Sequence, residues 1–406
     1  MRRFSVPFPP PWFISMPLMS KLPAPLQQVD RTWVRVRRKK LSYFGGCDYF
    51  RLASHPAVLK GLQAALKKYG LNVAASRLTT GNHRLYELLE KRLADFFGVE
   101  SASLVSNGYV TNLVVAQALA GNFSHVLIDA RAHASLLDAA QILDCPILTF
   151  QHRDAADAAR CVDRCGRLSR PILLTDGLFS HDGSVAPLSE YLRALPAEGM
   201  VLVDDAHGAG TLGKTGQGTP EYLGVSRERI IQTITLSKAF GAYGGAILGP
   251  RGFLEKIIER SRIFVGNTPL PLPLAAAALE AVRILKADRS LRTRLARNSR
   301  LVKNALGEAG WSMADTPGPI LSLVPQDGNE AAALRRRLLA AGIYPPFIQY
   351  PGGPASGYFR FALSSEHSQE QLEDLLRVLL QHRRSVRPVG QASRLSSASS
   401  HFPTVQ

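Results

Sequence analysis

The chain has 406 residues, 46% of them hydrophobic and 20% charged, which is enough for a large two-lobed body with a substantial core. No stretch approaches the roughly 20 consecutive apolar residues that cross a bilayer, so we expect a cytoplasmic protein with no membrane partner. The net charge of +17 is concentrated in residues 1–46 and 383–406, which argues against a nucleic-acid-binding face on the folded body.

The first part of the chain, residues 1–46, is predicted to be a basic extension and arm. Nine of its residues are Lys or Arg and one is acidic. A glycine turn and an aromatic stretch follow, and His55-Pro56 opens the first predicted helix. A second helix is indicated between Leu85 and Phe97, where leucine and phenylalanine recur at helical intervals until Gly98 ends the pattern.

From Ser101 onward, short apolar runs alternate with helical patterns. This alternation predicts a mostly parallel sheet covered by helices, and we assign residues 47–275 to a large α/β domain. The predicted strands lie in the segments SASLVS, HVLID, PILTF, RPILLTDGLFS, MVLVDD and IIQTITLS. In such a sheet, functional side chains gather at the carboxyl ends of the strands.

Beyond the segment NTPLP the pattern changes. Two long helices are predicted there, and the short strands ILSLV and YFRFAL then alternate with further helices. We assign residues 276–382 to a smaller α+β domain. Residues 383–406 are rich in Ser and Arg, and we predict that they form a disordered tail.

Two strand ends carry side chains that suit an aldehyde cofactor with a basic ring nitrogen. Asp204 ends an apolar run, and a protonated ring nitrogen would be a good partner for a carboxylate in such a place. Lys238 follows a β-rich run and precedes a glycine-rich turn, so burial could make it a Schiff-base nucleophile. The alternatives are a helix-capping role for Asp204 and a solvated surface charge for Lys238.

Two histidines also follow the ends of predicted strands. His207 could donate a hydrogen bond to a phenolate or a carbonyl, and His133 could stack on a cofactor ring. A lone histidine is usually structural. Two histidines facing one edge of a sheet favour a functional site instead.

An anion site is predicted at Asn107-Gly108-Tyr109, between a strand and a helix, where free backbone N–H groups and the helix dipole attract phosphate. We place the hydroxyl groups of Ser180 and Thr235 at neighbouring strand ends, where both would suit the same phosphate.

The four cysteines do not form a metal-binding pattern. Cys161 and Cys165 are one helical turn apart, but no second pair of ligands accompanies them. We therefore expect reduced thiols and no metal site.

With Asp204, His207 and Lys238 at this spacing, the sequence resembles the α-oxoamine synthases, which are pyridoxal-phosphate enzymes of the fold-type I aminotransferase superfamily. The resemblance covers about residues 41–381 and implies a homodimer whose active site is shared at the subunit interface. The segments that carry it are VDDAHGAGTLGKTGQG, TLSKAFGAYGG, SNGYVTN, DARAHASLLDAA, TDGLFSHDGSVAPL, NTPLP and RFALSSEH.

The resemblance also implies roles for individual residues. Lys238 would bond to the aldehyde of pyridoxal 5'-phosphate, Asp204 would pair with the pyridine nitrogen, and His133 would stack on the ring. His207 would contact the phenolic oxygen and the reacting carbonyl. Arg360 would hold the α-carboxylate of an amino acid. The phosphate would be bound by Gly108, Tyr109, Ser180 and Thr235 and by Thr268 of the partner subunit.

Two segments depart from the family pattern, and both bear on the acyl substrate. Where the family usually has Asn-x-Tyr-Leu-Gly, this chain has Cys47-Asp48-Tyr49-Phe50-Arg51. Where members of the biotin pathway have Arg-Pro-Pro-Thr, this chain has Tyr344-Pro345-Pro346-Phe347. We therefore expect Cys47, Tyr344 and Phe347 to contact the substrate, at an entrance that is more aromatic and less cationic.

The resemblance implies that an α-amino acid condenses with an acyl thioester, with loss of carbon dioxide. Overall similarity favours L-alanine and a pimeloyl thioester of coenzyme A or of a carrier protein. The alternatives are glycine with acetyl-CoA, serine with a long acyl chain, and a plain aminotransferase that uses a keto acid. A basic nucleic-acid-binding protein is the alternative suggested by the charge of the two ends.

Overall fold

The computed structural model describes residues 23–349, residue 354 and residues 356–386. The predicted extension up to residue 22 and residues 387–406 of the predicted tail lie outside the described residues. The described chain begins with an antiparallel three-stranded sheet followed by two helices. These elements are Gln27–Asp30 (β1), Trp33–Val36 (β2), Lys39–Ser42 (β3), Pro56–Tyr69 (α1) and Arg84–Phe97 (α2).

A seven-stranded sheet forms the centre of the fold. Its strands are Ser101–Val105 (β4), His125–Asp129 (β5), Ile147–Phe150 (β6), Pro171–Asp176 (β7), Met200–Asp204 (β8), Ile230–Thr235 (β9) and Gly245–Gly249 (β10). In space they follow the order β4-β10-β9-β8-β7-β5-β6. Strand β10 is antiparallel to both of its neighbours, and the other pairings in this sheet are parallel, which confirms the predicted fold class.

Helices cover both faces of this sheet. They are Gly108–Leu119 (α3), Ala134–Ile142 (α4), Ala155–Cys165 (α5), Leu188–Ala194 (α6), Thr219–Leu223 (α7), Arg251–Arg260 (α8), Arg262–Gly266 (α9) and Leu272–Ala287 (α10). Alternate residues of β7 enter different cores: Ile172 and Leu174 pack on one face, and Leu173 packs on the other. Burial on both faces explains why the central strands read as uninterrupted apolar runs. In the described part of the chain, no helix has the length and hydropathy needed to cross a membrane.

The parallel arrangement brings four polar strand ends to one edge of the sheet. Strands β5, β7, β8 and β9 end in Asp129, Asp176, Asp204 and Thr235. Asp176 and Asp204 are direct partners in the register of β7 and β8. This edge is where a site is expected in a sheet of this type.

A smaller α+β unit follows. Its elements are Ser290–Glu308 (α11), Ile320–Leu323 (β11), Gly328–Ala340 (α12), Phe347–Ile348 (β12), Tyr358–Ala362 (β13) and Gln369–Val386 (α13), with an antiparallel sheet in the order β11-β13-β12. The N-terminal arm joins this unit, because Ser42 bridges Ile343 and Phe44 packs in the same core as Phe359.

Two predicted boundaries are displaced in the structure. The boundary between residues 275 and 276 falls inside α10, which is continuous and packs against α1 and α2. The start of the predicted disordered tail, residue 383, lies within α13, which continues to Val386. The reason lies in packing: His382, in the last turn of α13, is buried, so the helix has a core-facing side up to that point.

Candidate active site

Lys238 lies three residues beyond β9, in the glycine-rich turn that leads to β10. Its Nζ is 2.7 Å from Nε2 of His207, and Nδ1 of the same ring is 2.6 Å from the hydroxyl of Tyr49. Burial lowers the pKa of the Lys238 amine. Burial and then the charge of Lys238 hold the pKa of His207 well below its usual range. An amine of lowered pKa beside a neutral imidazole can act as both a nucleophile and a base.

The turn that presents Lys238 depends on Gly241. Its φ is +58°, and a Cβ at this position would lie 2.3 Å from the backbone nitrogen of Ala53. Its N–H donates to the carbonyl of Lys238 at 2.9 Å. Glycine is therefore required both by the backbone conformation and by the close approach of the segment that follows Tyr49.

Asp204 ends β8 and is buried. Its Oδ2 accepts hydrogen bonds from Nδ2 of Asn112 at 2.7 Å and from the hydroxyl of Ser135 at 3.5 Å. Its Oδ1 accepts a bond from the backbone N–H of Ala206 at 3.1 Å. Asp204 takes part in none of the ion pairs formed by the described residues. A buried carboxylate in this situation suits a cationic ligand group such as a protonated ring nitrogen.

His133 is the N-cap residue of α4, and its position is fixed from two sides. Its backbone N–H donates to Oδ2 of Asp176 at 2.8 Å, and its Nδ1 accepts from the backbone N–H of Ser135 at 3.2 Å. Because Nδ1 is an acceptor, the neutral imidazole carries its proton on Nε2. Burial lowers the pKa of His133, which favours the neutral ring that can stack on another aromatic ring.

A cradle for an anion lies where α3 meets the end of β9. Asn107 caps α3, and its Oδ1 accepts from the backbone N–H of Val110 at 3.1 Å. A Cβ on Gly108 would come within 2.8 Å of the Cβ and 2.9 Å of the Oγ1 of Thr235, so the two elements touch in a way that only glycine permits. Backbone N–H groups at a helix start, with a threonine hydroxyl beside them, suit a phosphate.

Tyr109 lies at the second position of α3, beside this cradle. Its ring centroid is 6.0 Å from that of His133, and the two rings meet at 71°. Its hydroxyl donates to the carboxylate of Asp138. The structure therefore joins the predicted phosphate-binding residue and the predicted ring-stacking residue into one wall of the site.

Two other predicted phosphate ligands, Ser180 and Thr268, lie on other segments of the chain. Strand β8 stands between β7 and β9, so the prediction that Ser180 and Thr235 end neighbouring strands is wrong: order along the chain does not fix order in the sheet. Ser180 lies in the loop that the bridge between Leu178 and Val185 closes. Thr268 is exposed between α9 and α10, and its role in a second subunit stays a prediction.

Arg360, on β13, faces the Lys238 side of the site. Its Nη2 donates to Sγ of Cys47 at 3.5 Å. Burial lowers the pKa of both His207 and Lys238, and the charge of Arg360 adds to this, after that of Lys238 in the case of His207. Arg360 takes part in no ion pair among the described residues, which leaves its guanidinium available to an anionic substrate group.

Phe347 faces away from this site. It is the register partner of Phe359, with ring centroids 5.0 Å apart, and both belong to the small-domain core. Successive side chains of a strand point to opposite faces, so Phe347 and Arg360 lie on opposite faces of the small sheet. The geometry therefore gives no support to substrate contact by Phe347, which stays a prediction. Tyr344 differs, because its ring lies 5.8 Å from the ring of Tyr43. Burial raises the pKa of Tyr43, and the charges of Arg51 and, more weakly, Arg360 oppose that rise.

Three residues that organise the site, Asn112, Asp176 and Tyr49, were given no role by the sequence analysis. Asn112 is fully buried in α3, and it accepts from the hydroxyl of Thr233 at 2.7 Å while donating to Asp204. A polar side chain within an apolar helix was the available signal. Asp176 ends its strand as Asp204 does, and burial together with the Asp204 charge raises its pKa well above the usual range. Tyr49 became significant only through its contact with His207.

The residues at this edge of the sheet fit pyridoxal phosphate. The Lys238 amine, with its lowered pKa, suits the aldehyde, and the buried Asp204 carboxylate, which joins no ion pair among the described residues, suits the ring nitrogen. The neutral His133 suits the ring face, and the anion cradle at the start of α3 suits the phosphate. The tightest part of the fit is the contact between Gly108 and Thr235, which any side chain at position 108 would obstruct.

Comparison with known proteins supports this assignment. The chain matches the family model of class I and II aminotransferases over residues 47–379. It is 38% identical over 346 residues to the 8-amino-7-oxononanoate synthase of Thioalkalivibrio sulfidiphilus, a match that covers 84% of this chain and 88% of that protein. It is 35% identical over 331 residues to the 8-amino-7-oxononanoate synthase 2 of Bacillus subtilis, covering 81% and 85%.

A solved structure shows the same architecture. A serine palmitoyltransferase variant from S. paucimobilis, with a bound PLP–myriocin aldimine, matches with a TM-score of 0.83 at 28% identity and covers 88% of this chain and 91% of that one. The chain therefore belongs to the class I and II aminotransferase family and, within its fold-type I pyridoxal-phosphate enzymes, to the α-oxoamine synthases.

Proposed function

We propose that this enzyme condenses L-alanine with a pimeloyl thioester, carried by coenzyme A or a carrier protein, and forms 8-amino-7-oxononanoate and carbon dioxide in biotin synthesis. The observation that carries the proposal is the convergence of Lys238, His207 and Arg360 beside the buried carboxylate of Asp204. The names of the relatives that are 35% and 38% identical support the choice of substrates.

Pyridoxal phosphate, when bound, supplies a protonated aromatic ring that withdraws electrons from the α-carbon of an amino acid. Asp204 would hold the ring nitrogen, and Asn112 fixes the orientation of that carboxylate. His133 would lie against the ring with its proton on Nε2. The phosphate ligands in this proposal are Gly108, Tyr109 and Thr235, with Thr268 of the partner subunit.

Lys238 would anchor the cofactor aldehyde and, once displaced by the amino acid, remove the α-proton. A base must be neutral before it can accept a proton, and burial lowers the pKa of this amine towards the working range. His207 holds the amine through Nε2 and is itself held by Tyr49 through Nδ1. The imidazole thereby fixes the direction from which Lys238 approaches the α-carbon.

Arg360 would bind the α-carboxylate. A guanidinium offers two parallel N–H donors to a carboxylate, and its position beside Lys238 brings the α-carbon to the base. The same carboxylate leaves as carbon dioxide after the new carbon–carbon bond has formed. Arg360 therefore selects an α-amino acid over a simple amine.

The acyl side is the less determined part of the site. Tyr344 and Tyr43 form an aromatic pair there, with ring centroids 5.8 Å apart. An aromatic wall suits an apolar chain, and the likeness to serine palmitoyltransferase supports serine with a long acyl chain as the alternative pair. Glycine with acetyl-CoA and a plain aminotransferase reaction remain further alternatives.

The test is a substrate screen with purified holoenzyme. L-alanine, glycine and L-serine are each combined with acetyl, pimeloyl and palmitoyl thioesters, and the ketone product is identified by mass spectrometry. We expect product from alanine and the pimeloyl thioester at a rate at least tenfold above the other pairs. Turnover of another pair, with none for pimeloyl-CoA or its carrier-protein ester, would overturn the proposal. Formation of pyridoxamine phosphate with an amino acid alone would indicate an aminotransferase.

We also place this enzyme in the cytoplasm as a homodimer. Thr268 is exposed in the structure, as a residue that serves a second subunit must be. The four free cysteines suit a reducing compartment. Light scattering that gives the mass of one chain at working concentration would contradict the dimer.

A further inference from the structure

A continuous row of polar contacts runs from Lys238 to Arg360. Lys238 contacts Nε2 of His207 at 2.7 Å, and Nδ1 of His207 lies 2.6 Å from the hydroxyl of Tyr49. Tyr49 is joined to Cys47 through the backbone, because its N–H donates to the carbonyl of Cys47 at 2.9 Å. Sγ of Cys47 then accepts from Nη2 of Arg360 at 3.5 Å. The thiol therefore lies between the pair that handles the α-proton and the guanidinium that would bind the α-carboxylate.

The backbone around Cys47 is held rigidly. The N–H of Tyr49 donates to the carbonyl of Cys47 at 2.9 Å. The carboxylate of Asp48 accepts from the backbone N–H groups of Leu52 and Ala53 at 2.9 and 3.0 Å. Tyr49 itself is buried, and burial raises its pKa well above the usual range, so its hydroxyl keeps its proton. Cys47 and Tyr49 thus have fixed positions relative to the site.

The contact between Cys47 and Arg360 is a weak one for the guanidinium. A sulfur acceptor at 3.5 Å is longer and softer than a carboxylate oxygen, which binds a guanidinium at about 2.8 Å. The thiol can therefore orient Arg360 before the substrate arrives and then yield it to the carboxylate. A carboxylate side chain at this position would instead occupy the guanidinium permanently.

We infer that Cys47 is a positioning residue for the amino acid: it orients the Arg360 guanidinium from the same short segment that carries Tyr49, and so joins recognition of the α-carboxylate to proton removal at Lys238. The inference rests on the proposed function only in assigning the α-carboxylate to Arg360. It requires no particular acyl donor, and it gives Cys47 a role at the amino-acid side of the site.

The test compares Cys47→Ala and Cys47→Ser with the wild-type holoenzyme, and Cys165→Ser on α5 is the matched control. The dissociation constants of L-alanine and of ethylamine, which lacks the carboxylate, are measured by spectral titration. Exchange of the α-hydrogen of alanine in D2O is followed by NMR without any thioester. For Cys47→Ala we expect the alanine dissociation constant to rise about tenfold, because the guanidinium is no longer oriented before alanine binds, with the ethylamine dissociation constant unchanged. Exchange at saturating alanine should also slow several-fold.

Serine retains a donor and acceptor at this position, so Cys47→Ser should bind alanine within about threefold of wild type. Equal alanine binding by Cys47→Ala and wild type would overturn the inference. Equal weakening for alanine and ethylamine would also overturn it, because that pattern means general damage to the site. Failure of the proposed function is distinguishable, since it would appear as wild-type enzyme that exchanges the α-hydrogen of alanine but forms no product with pimeloyl thioesters.

Discussion

Nζ of Lys238 lies 2.7 Å from Nε2 of His207, and the two residues stand at the ends of adjacent parallel strands, β9 and β8. Burial lowers the pKa of both groups, and the charge of Lys238 lowers the pKa of His207 further. This pair turns a side chain that is ordinarily a surface cation into an amine that can bond to an aldehyde and accept a proton.

Lys238→Ala should remove the near-visible absorbance band of the holoenzyme, because the covalent link between protein and cofactor is lost. Lys214→Ala is the control, since Lys214 is exposed on the loop between β8 and α7. Absorbance spectra of both variants, recorded after reconstitution with pyridoxal phosphate, check the prediction. A wild-type spectrum from Lys238→Ala would move the cofactor lysine elsewhere.

Gly108→Ala should weaken binding of pyridoxal phosphate by at least about tenfold, because the new Cβ would lie 2.8 Å from the Cβ of Thr235. Gly252→Ala in α8 is the matched control, since no atom lies within 4 Å of a Cβ built there. Fluorescence titration of the apoenzyme gives both affinities. Unchanged affinity in Gly108→Ala would place the phosphate away from the start of α3.

Asn112→Ala should lower both the free energy of unfolding and the affinity for pyridoxal phosphate. It leaves Oδ2 of Asp204 with only the 3.5 Å bond from Ser135, and the hydroxyl of Thr233 with only a 3.4 Å bond to the carbonyl of Val203, at a cost of about 2 kcal/mol in the free energy of unfolding. Thr233→Val removes the second contact and keeps the first, so it should cost about 1 kcal/mol and spare the cofactor. Urea unfolding and cofactor titration distinguish the two. Identical cofactor affinities for the two variants would mean that Asn112 does not orient Asp204.

His367 should make the protein less stable in mild acid. Burial, followed by the charge of Arg51, lowers its pKa to about 3, while a histidine in an unfolded chain titrates near 6.5. Between about pH 3 and pH 6.5, this histidine is protonated in the unfolded chain and neutral in the folded chain. Stability is therefore complete above about pH 6.5 and falls as the pH decreases, by up to about 1.4 kcal/mol per pH unit.

His367→Gln removes this titration and keeps a donor for the carbonyl of Tyr43, which His367 now reaches at 3.0 Å. Between pH 7.5 and 5.5, the variant should lose about 1–2 kcal/mol less of its free energy of unfolding than the wild type. Urea unfolding at both pH values, with His125→Gln as the control, measures the difference. Parallel losses in wild type and variant would contradict the prediction.

Much of the fold could be predicted because its signals are local. Apolar runs alternating with helical patterns gave the mostly parallel sheet, and the polar residues that end those runs gave Asp204 and the approach to Lys238. Residue types at the strand ends indicated an aldehyde cofactor, and the resemblance to the α-oxoamine synthases implied that it is pyridoxal phosphate. Errors arose where the answer depended on the order of strands in space: β8 separates Ser180 from Thr235, and β10 inserts antiparallel between β4 and β9.

The sequence by itself determined the α/β class and the polar strand ends, because periodicity and residue chemistry act over a few residues at a time, and its motifs implied the cofactor through their resemblance to a known family. Only the tertiary structure decided which side chains meet. Phe347 pairs with Phe359 and packs on the small-domain core, whereas Arg360, the residue after Phe359, points to the opposite face of the sheet and contacts Cys47. It also brought Tyr49 and Cys47 to His207 and Arg360. Those contacts join residues more than 150 positions apart, and packing, not local propensity, selects them.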